Sequence, residues 1–131
     1  MQELRVCLAA LALAAWGLPL ATAAALVVRA SDKDNKRQLT LSVGDTLEIR
    51  LEVQFGTGFS WRIASYDARR LKLLAQEEQH GETEKPGGTE HQLFRFQALA
   101  KGDMAVRLEY VQPWDHDAKP ERTYALSVRI E

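Results

Sequence analysis

TLEIRLEV, residues 46–53, alternates apolar and polar side chains over its whole length. The alternation puts the apolar side chains on one face of an extended chain and the charged ones on the other: Leu47, Ile49, Leu51 and Val53 against Glu48, Arg50 and Glu52. A period of two is typical of a β-strand that has one face in a core and the other in water. The stretch therefore predicts a half-buried strand.

The same pattern extends outward from this strand in both directions. Six further segments predict strands: QLTLSV (38–43), FSWRI (59–63), LKLLA (71–75), HQLFRFQAL (91–99), MAVRLEY (104–110) and TYALSVRI (123–130). In the first of these, Leu39, Leu41 and Val43 are expected on one face. Gly44-Asp45 and Lys101-Gly102-Asp103 are typical of turns.

Only one segment could be helical in part. Tyr66 to Gln79 could form a helical turn before its strand. Short alternating strands separated by turn signals predict an all-β domain, an immunoglobulin-like two-sheet sandwich of seven to eight strands. A small barrel is the competing architecture. In the sandwich, Trp61 and Phe96 are expected in the core, because each continues the apolar face of its strand.

The first residues of the chain have the pattern of a secretory signal peptide. Arg5 precedes an apolar run from Val6 to Leu20, and Ala21 and Ala23 supply the small residues of an A-x-A cleavage site. A membrane anchor is the alternative, but it needs about 20 unbroken apolar residues, and this run is shorter. We therefore expect a signal peptide over residues 1–25, a mature domain over 26–131, and export to the periplasm or secretion without membrane attachment.

Composition excludes several classes of function. The net charge is −1 with both signs interspersed, so nothing indicates a nucleic-acid partner. The only cysteine, Cys7, lies in the predicted signal peptide, which leaves the mature domain without a disulfide or a cysteine ligand. We expect a monomer that carries no cofactor.

No arrangement of residues predicts catalysis. The mature domain has three histidines, but no nucleophile motif accompanies them. The sequence DHD, residues 115–117, could hold a metal ion, although a solvated polar loop is the favoured interpretation. The glycines of FGTGF (55–59) lack the Lys-Ser/Thr of a phosphate-binding loop. We therefore predict neither a metal site nor an enzyme. A metal-dependent enzyme that uses DHD is kept as a less favoured alternative.

Three loops stand out from the predicted strands: QFGTG (54–58), HGETEKPGGTE (80–90) and QPWDHDAKPE (112–121). In an immunoglobulin-like order they join strands B–C, D–E and F–G, which places all three at one end of the sandwich. Loops at one end of a rigid scaffold are a common binding surface. Trp114 lies in the third loop, outside any strand, where it either serves a binding surface or folds back over the sandwich end.

The three loops together resemble the chagasin family of cysteine-protease inhibitors. The resemblance runs from about Leu39 to the C-terminus. The family motif Asn-Pro-Thr-Thr-Gly, followed by an aromatic residue, a variable residue and Trp, is matched at Thr57, Gly58, Phe59 and Trp61. Gln54, Phe55 and Gly56 replace its first three residues. The Gly-containing second motif is matched at Gly87 and Gly88, and the Arg-Pro-Trp third motif at Pro113 and Trp114, with Gln112 replacing Arg.

The resemblance implies a reversible, non-covalent inhibitor whose loops occlude the active-site cleft of a papain-like cysteine protease. The first loop would lie over the catalytic cysteine and histidine, and the other two would flank it. The residues implied in protease binding are Gln54, Phe55, Gly56, Thr57, Gly58, Phe59, Pro86, Gly87, Gly88, Thr89, Gln112, Pro113 and Trp114. The alternative is an exported, non-inhibitory module that binds a glycan, a peptide or an envelope partner.

Overall fold

A computed structural model describes residues 24–81 and 89–131, and these form two four-stranded β-sheets. The strands are β1 (Val27–Ser31), β2 (Gln38–Leu41), β3 (Thr46–Val53), β4 (Ser60–Ser65), β5 (Leu71–Gln79), β6 (Glu90–Ala98), β7 (Gly102–Val111) and β8 (Arg122–Ile130). Short 3-10 helices at Asp32–Asp34 and Phe55–Thr57 are the helices in this part of the chain. Neither is long and apolar enough to cross a membrane.

The sheet topology is that of an immunoglobulin-like sandwich. One sheet has the order β1-β3-β6-β5 and the other β2-β8-β7-β4. The triplets β3-β6-β5 and β8-β7-β4 correspond to the B-E-D and G-F-C strands of that fold. The two N-terminal strands extend the sheets by parallel pairing, β1 with β3 and β2 with β8, whereas the remaining pairs are antiparallel.

The core forms from the apolar faces that the alternation predicts. The side chains of Leu47, Ile49, Leu51 and Val53 are all buried, which confirms the prediction for β3. Trp61 and Phe96 are buried as expected, at 5% and 0% exposure. The terminal strand contributes Tyr124, Leu126, Val128 and Ile130 to the same cluster.

Three details differ from the sequence-based expectation. Val43 does not share a face with Leu41: β2 ends at Leu41, and Val43 lies in a turn, about half exposed. The segment from Leu71 to Gln79 is a nine-residue strand with an irregular register between Leu73 and Ala75, and no α-helix precedes it. The eighth strand is β1, which no sequence pattern identified and in which only Ala30 is buried.

The strand register brings the three loops to one end of the sandwich. Val53 at the end of β3 pairs with Glu90 at the start of β6. The start of the first loop therefore lies beside the end of the second loop. Ser60 at the start of β4 pairs with Val111 at the end of β7. The third loop therefore begins beside the end of the first loop, as the immunoglobulin-like order predicts.

Candidate functional site

The first loop is a compact turn fixed by its own hydrogen bonds. The Thr57 hydroxyl donates to the Gln54 carbonyl at 2.6 Å, and the Thr57 amide donates to the same oxygen at 3.1 Å. The Gly58 amide donates to the Phe55 carbonyl at 2.9 Å. Gly58 has a φ of 84°, a left-handed conformation that glycine adopts without strain. The loop therefore has a defined shape before it meets any partner.

Two contacts attach this loop to the sandwich below it. The Gln54 amide donates to the Tyr110 hydroxyl at 3.0 Å, which ties the start of the loop to β7. The Phe59 ring, at the loop's end, stacks on the Tyr110 ring with centroids 5.3 Å apart. Tyr110 itself is buried and follows the alternation of β7. Its side chain therefore supports both ends of the first loop, through the hydroxyl and the ring respectively, a role that the sequence pattern did not reveal.

The third loop lies directly against the first. A Cβ atom on Gly58 would overlap Cη2 of the Trp114 indole and approach its Cζ2 to 3.2 Å, so the indole lies on the bare glycine backbone. The Gln112 side-chain amide donates to the Thr57 carbonyl at 3.3 Å. The two loops that were predicted from separate motifs thus form one continuous surface.

Trp114 does not fold into the core. Its side chain is 66% exposed, which excludes the alternative in which it caps the sandwich end as a buried residue. An exposed tryptophan with one face supported by backbone is typical of an anchor for a binding partner, because a rigid aromatic ring loses little entropy on docking. Pro113 limits the backbone freedom of the same loop.

The second loop contributes its described ends to this surface. Pro86, Gly87 and Gly88 lie outside the described residues. Thr89, immediately before β6, is exposed and, with Glu90, lines a depression that the first loop also borders. The first and second loops therefore meet at this depression.

Aromatic and charged side chains line the depression. Phe59 and Tyr110 border it, together with Glu121 at the end of the third loop and Arg122 at the start of β8. The Arg122 guanidinium lies over the Tyr110 ring at 4.5 Å and over the Trp61 ring at 5.4 Å, which is cation–π geometry. Arg122 was missed by sequence reasoning because its position depends on the pairing of β8 with β7, and no local motif marks it.

The first loop is uncharged, whereas the third loop carries exposed charged side chains. Gln54 to Phe59 carry no charged side chain. Asp115, His116 and Asp117 are all exposed, in agreement with a solvated loop. Among the described residues, no cluster of three or more His, Cys, Asp or Glu side chains could hold a metal ion.

The carboxylates with shifted pKa values lie at the opposite end of the molecule. Backbone amides of Leu26 and then Ser42 hold the pKa of Asp45 below its usual value. Hydrogen bonds from Arg69, with a further contribution from Arg70, lower the pKa of Asp67 to about 2. Both shifts favour the charged form within the turns that these carboxylates stabilise, so they belong to the scaffold.

Comparison with known proteins gives a consistent result. The family profile described as Chagasin family peptidase inhibitor I42 matches residues 40–128. Chagasin of Trypanosoma cruzi is 30% identical over 99 residues, which covers 69% of this chain and 88% of chagasin.

Two solved structures share the fold. A cysteine protease inhibitor from Entamoeba histolytica has a TM-score of 0.73 and 22% identity, covering 81% of this chain and 96% of that chain. PbICP-C, solved in complex with falcipain-2, has a TM-score of 0.59 and 14% identity, covering 80% and 98%. The predicted two-sheet sandwich is therefore confirmed.

Proposed function

Because the chain belongs to the chagasin family of peptidase inhibitors, we propose that its loop end reversibly occludes the active-site cleft of papain-like cysteine proteases. The family consists of inhibitors, so the expectation that the chain is not an enzyme is confirmed. The observation that carries the mechanism is the exposed Trp114 indole lying on Gly58, which joins the first and third loops into one wedge. The wedge is formed before binding, so less entropy is lost on docking.

The internal hydrogen bonds of the first loop explain how an inhibitor lies in the cleft without being cleaved. The carbonyl oxygens of Gln54, Phe55 and Thr57 accept hydrogen bonds from within the molecule. A scissile peptide must instead present a carbonyl in attack geometry to the catalytic thiolate. The 3-10 turn at Phe55–Thr57 keeps the loop in a compact conformation, so it blocks the thiolate and the complex stays non-covalent.

The site comprises the residues of all three loops. The first loop, Gln54 to Phe59, lies over the catalytic cysteine and histidine. Pro86 to Thr89 flank it on one side, and Gln112 to Trp114 flank it on the other. The loop contacts at Thr57 and Gly58 support this arrangement for the first and third loops.

Export of the inhibitor is part of the same proposal. A signal peptide over residues 1–25 is removed, and residues 26–131 form the mature inhibitor domain, periplasmic or secreted. The attachment of Leu26 supports this boundary: its amide donates to the Asp45 carboxylate at 3.0 Å, and its carbonyl accepts from the Thr46 amide at 2.9 Å. Leu26, the first residue of the proposed mature domain, is thus hydrogen-bonded to the sandwich.

Titration of papain with the purified mature domain tests the inhibitory function. We expect residual activity to fall with added inhibitor and to recover on dilution, because no covalent bond forms. A covalent adduct in the mass spectrum, or progressive cleavage of the first loop, would contradict the mechanism. Absence of inhibition across several papain-like proteases would contradict the function itself and favour the alternative of a glycan- or peptide-binding module.

A further inference from the structure

Phe55 stands where the first family motif has proline, and this substitution changes how the loop must be held. Proline fixes the backbone φ angle of its own residue, whereas phenylalanine does not. The Phe55 side chain is instead partly buried and packs against the core cluster. Its ring centroid lies 5.2 Å from that of the His80 imidazole, with the planes tilted by 41°. Phe55 therefore reaches from the first loop to the strand that leads into the second.

His80 is held in place from two sides. Its Nδ1 atom lies 3.0 Å from a carboxylate oxygen of Glu90 on β6, and its Nε2 atom lies 3.4 Å from one of Glu78 on β5. Because a carboxylate only accepts hydrogen bonds, an imidazole nitrogen that carries a proton donates to the glutamate beside it. Glu90 and Glu78 therefore restrain the ring against which Phe55 packs.

We propose that Phe55 and His80 form a clasp, which fixes the first loop to the end of β5 by side-chain packing where the family motif uses proline. Phe55 is then a positioning residue for inhibition, in addition to any contact it makes with the protease. The clasp rests on the proposed function in one respect, namely that the first loop is the segment that enters the protease cleft.

A double-mutant cycle in the inhibition of papain tests the clasp. Phe55→Ala and His80→Ala are each expected to weaken inhibition by about threefold to tenfold, the range for an aromatic pair. In the His80→Ala background, Phe55→Ala should have a clearly smaller effect than in the parent protein. Strictly additive effects of the two substitutions would overturn the proposal, because they would mean that the residues act independently.

A control variant separates positioning from a general loss of structure. His91→Ala removes a histidine that contacts Arg50 on the same sheet and should leave inhibition unchanged. A loss of inhibition in His91→Ala equal to that in His80→Ala would contradict the clasp, because it would show that the effect is not specific to the histidine that contacts Phe55.

A measurement without protease distinguishes failure of the clasp from failure of the proposed function. In nuclear magnetic resonance spectra of the free inhibitor, His80→Ala should shift the amide signals of Gly56 and Gly58. In the Phe55→Ala background, His80→Ala should leave both signals in place, because the coupling runs through the Phe55 ring. Coupling without papain inhibition would retain the clasp and refute the function. Inhibition without coupling would refute the clasp alone.

Discussion

Two tryptophans of this chain have opposite environments, and each defines a separate prediction. Trp61 is 5% exposed and donates from its indole nitrogen to the Glu52 carbonyl at 2.9 Å. We expect Trp61→Ala to lower the free energy of unfolding by about 3–5 kcal/mol through lost burial and a cavity. Denaturant unfolding measures this loss, and a change of less than about 1 kcal/mol would contradict the core assignment.

Trp114→Ala should weaken inhibition while leaving stability nearly unchanged. Because the side chain is two-thirds exposed, we expect the melting temperature to stay nearly unchanged. Inhibition should weaken by about 2 kcal/mol or more, about thirtyfold in the inhibition constant. Papain titration with the folded variant measures the effect. An unaltered inhibition constant would remove the third loop from the binding surface.

Two glycines with positive φ allow backbone strain to be separated from steric overlap. Gly44 and Gly58 both adopt left-handed conformations, but a Cβ atom at Gly44 meets nothing within 4 Å, whereas one at Gly58 overlaps the Trp114 indole. We expect each alanine variant to lose about 1 kcal/mol or more of stability from the strained backbone. Only Gly58→Ala should also weaken inhibition, because it displaces Trp114. Equal inhibition by the two variants would show that the contact with Trp114 is dispensable.

At the scale of elements, the period-two pattern predicted the strands whose one face is buried. β3 alternates throughout and β8 alternates from Thr123 onward, so their positions and core faces could be predicted from sequence. The position of β5 could be predicted from sequence, but its length could not. Most of its side chains are exposed, and the alternation fades beyond Ala75. β1 was missed because parallel pairing with β3 creates it, and pairing between distant segments has no local sequence signature.

The candidate site was predictable to a similar extent. The first and third loops carry recognisable motifs, and the family resemblance on which they rest is confirmed by the profile match. The supporting contacts were not predictable, because Tyr110, Arg122 and His80 reach the loops only through strand register and packing. A motif identifies the residues at a surface more readily than the residues that hold them.

Asp45 joins two elements, and its charge makes their connection dependent on pH. Its carboxylate accepts hydrogen bonds from the amides of Leu26, before β1, and Ser42, after β2. Because its folded pKa lies below the unfolded value, its contribution to stability is complete above about pH 5 and is lost as the pH falls through the folded pKa. The pKa of Asp67 is lowered to about 2, so its contribution to stability is also lost as the pH falls.

Asp45→Asn should therefore be less stable than the parent at neutral pH, with the difference narrowing as the pH is lowered from about 5 to about 2. The asparagine keeps one acceptor but loses the charge that both amides favour. Urea unfolding at several pH values measures the difference. A gap that stays constant with pH would contradict the proposed linkage.

At the scale of the whole molecule, the proposed export can be tested directly. We expect the mature protein to begin between Ala24 and Leu26, because the small residues of the cleavage site precede this point. N-terminal sequencing of protein from the periplasmic or extracellular fraction identifies the first residue. An intact Met1 in that fraction would contradict the predicted cleavage.

The path of the chain places Leu26 and Glu131 together at the end of the sandwich that faces away from the three loops. Leu26 bonds to Thr46 at the start of β3, and the Glu131 amide donates to the carbonyl of Leu41 at the end of β2. A bead, a carrier or a second inhibitor joined at either of these residues therefore leaves the wedge accessible. Two such domains in tandem could engage two immobilised proteases at once, and their residence time would then depend on the length of the linker.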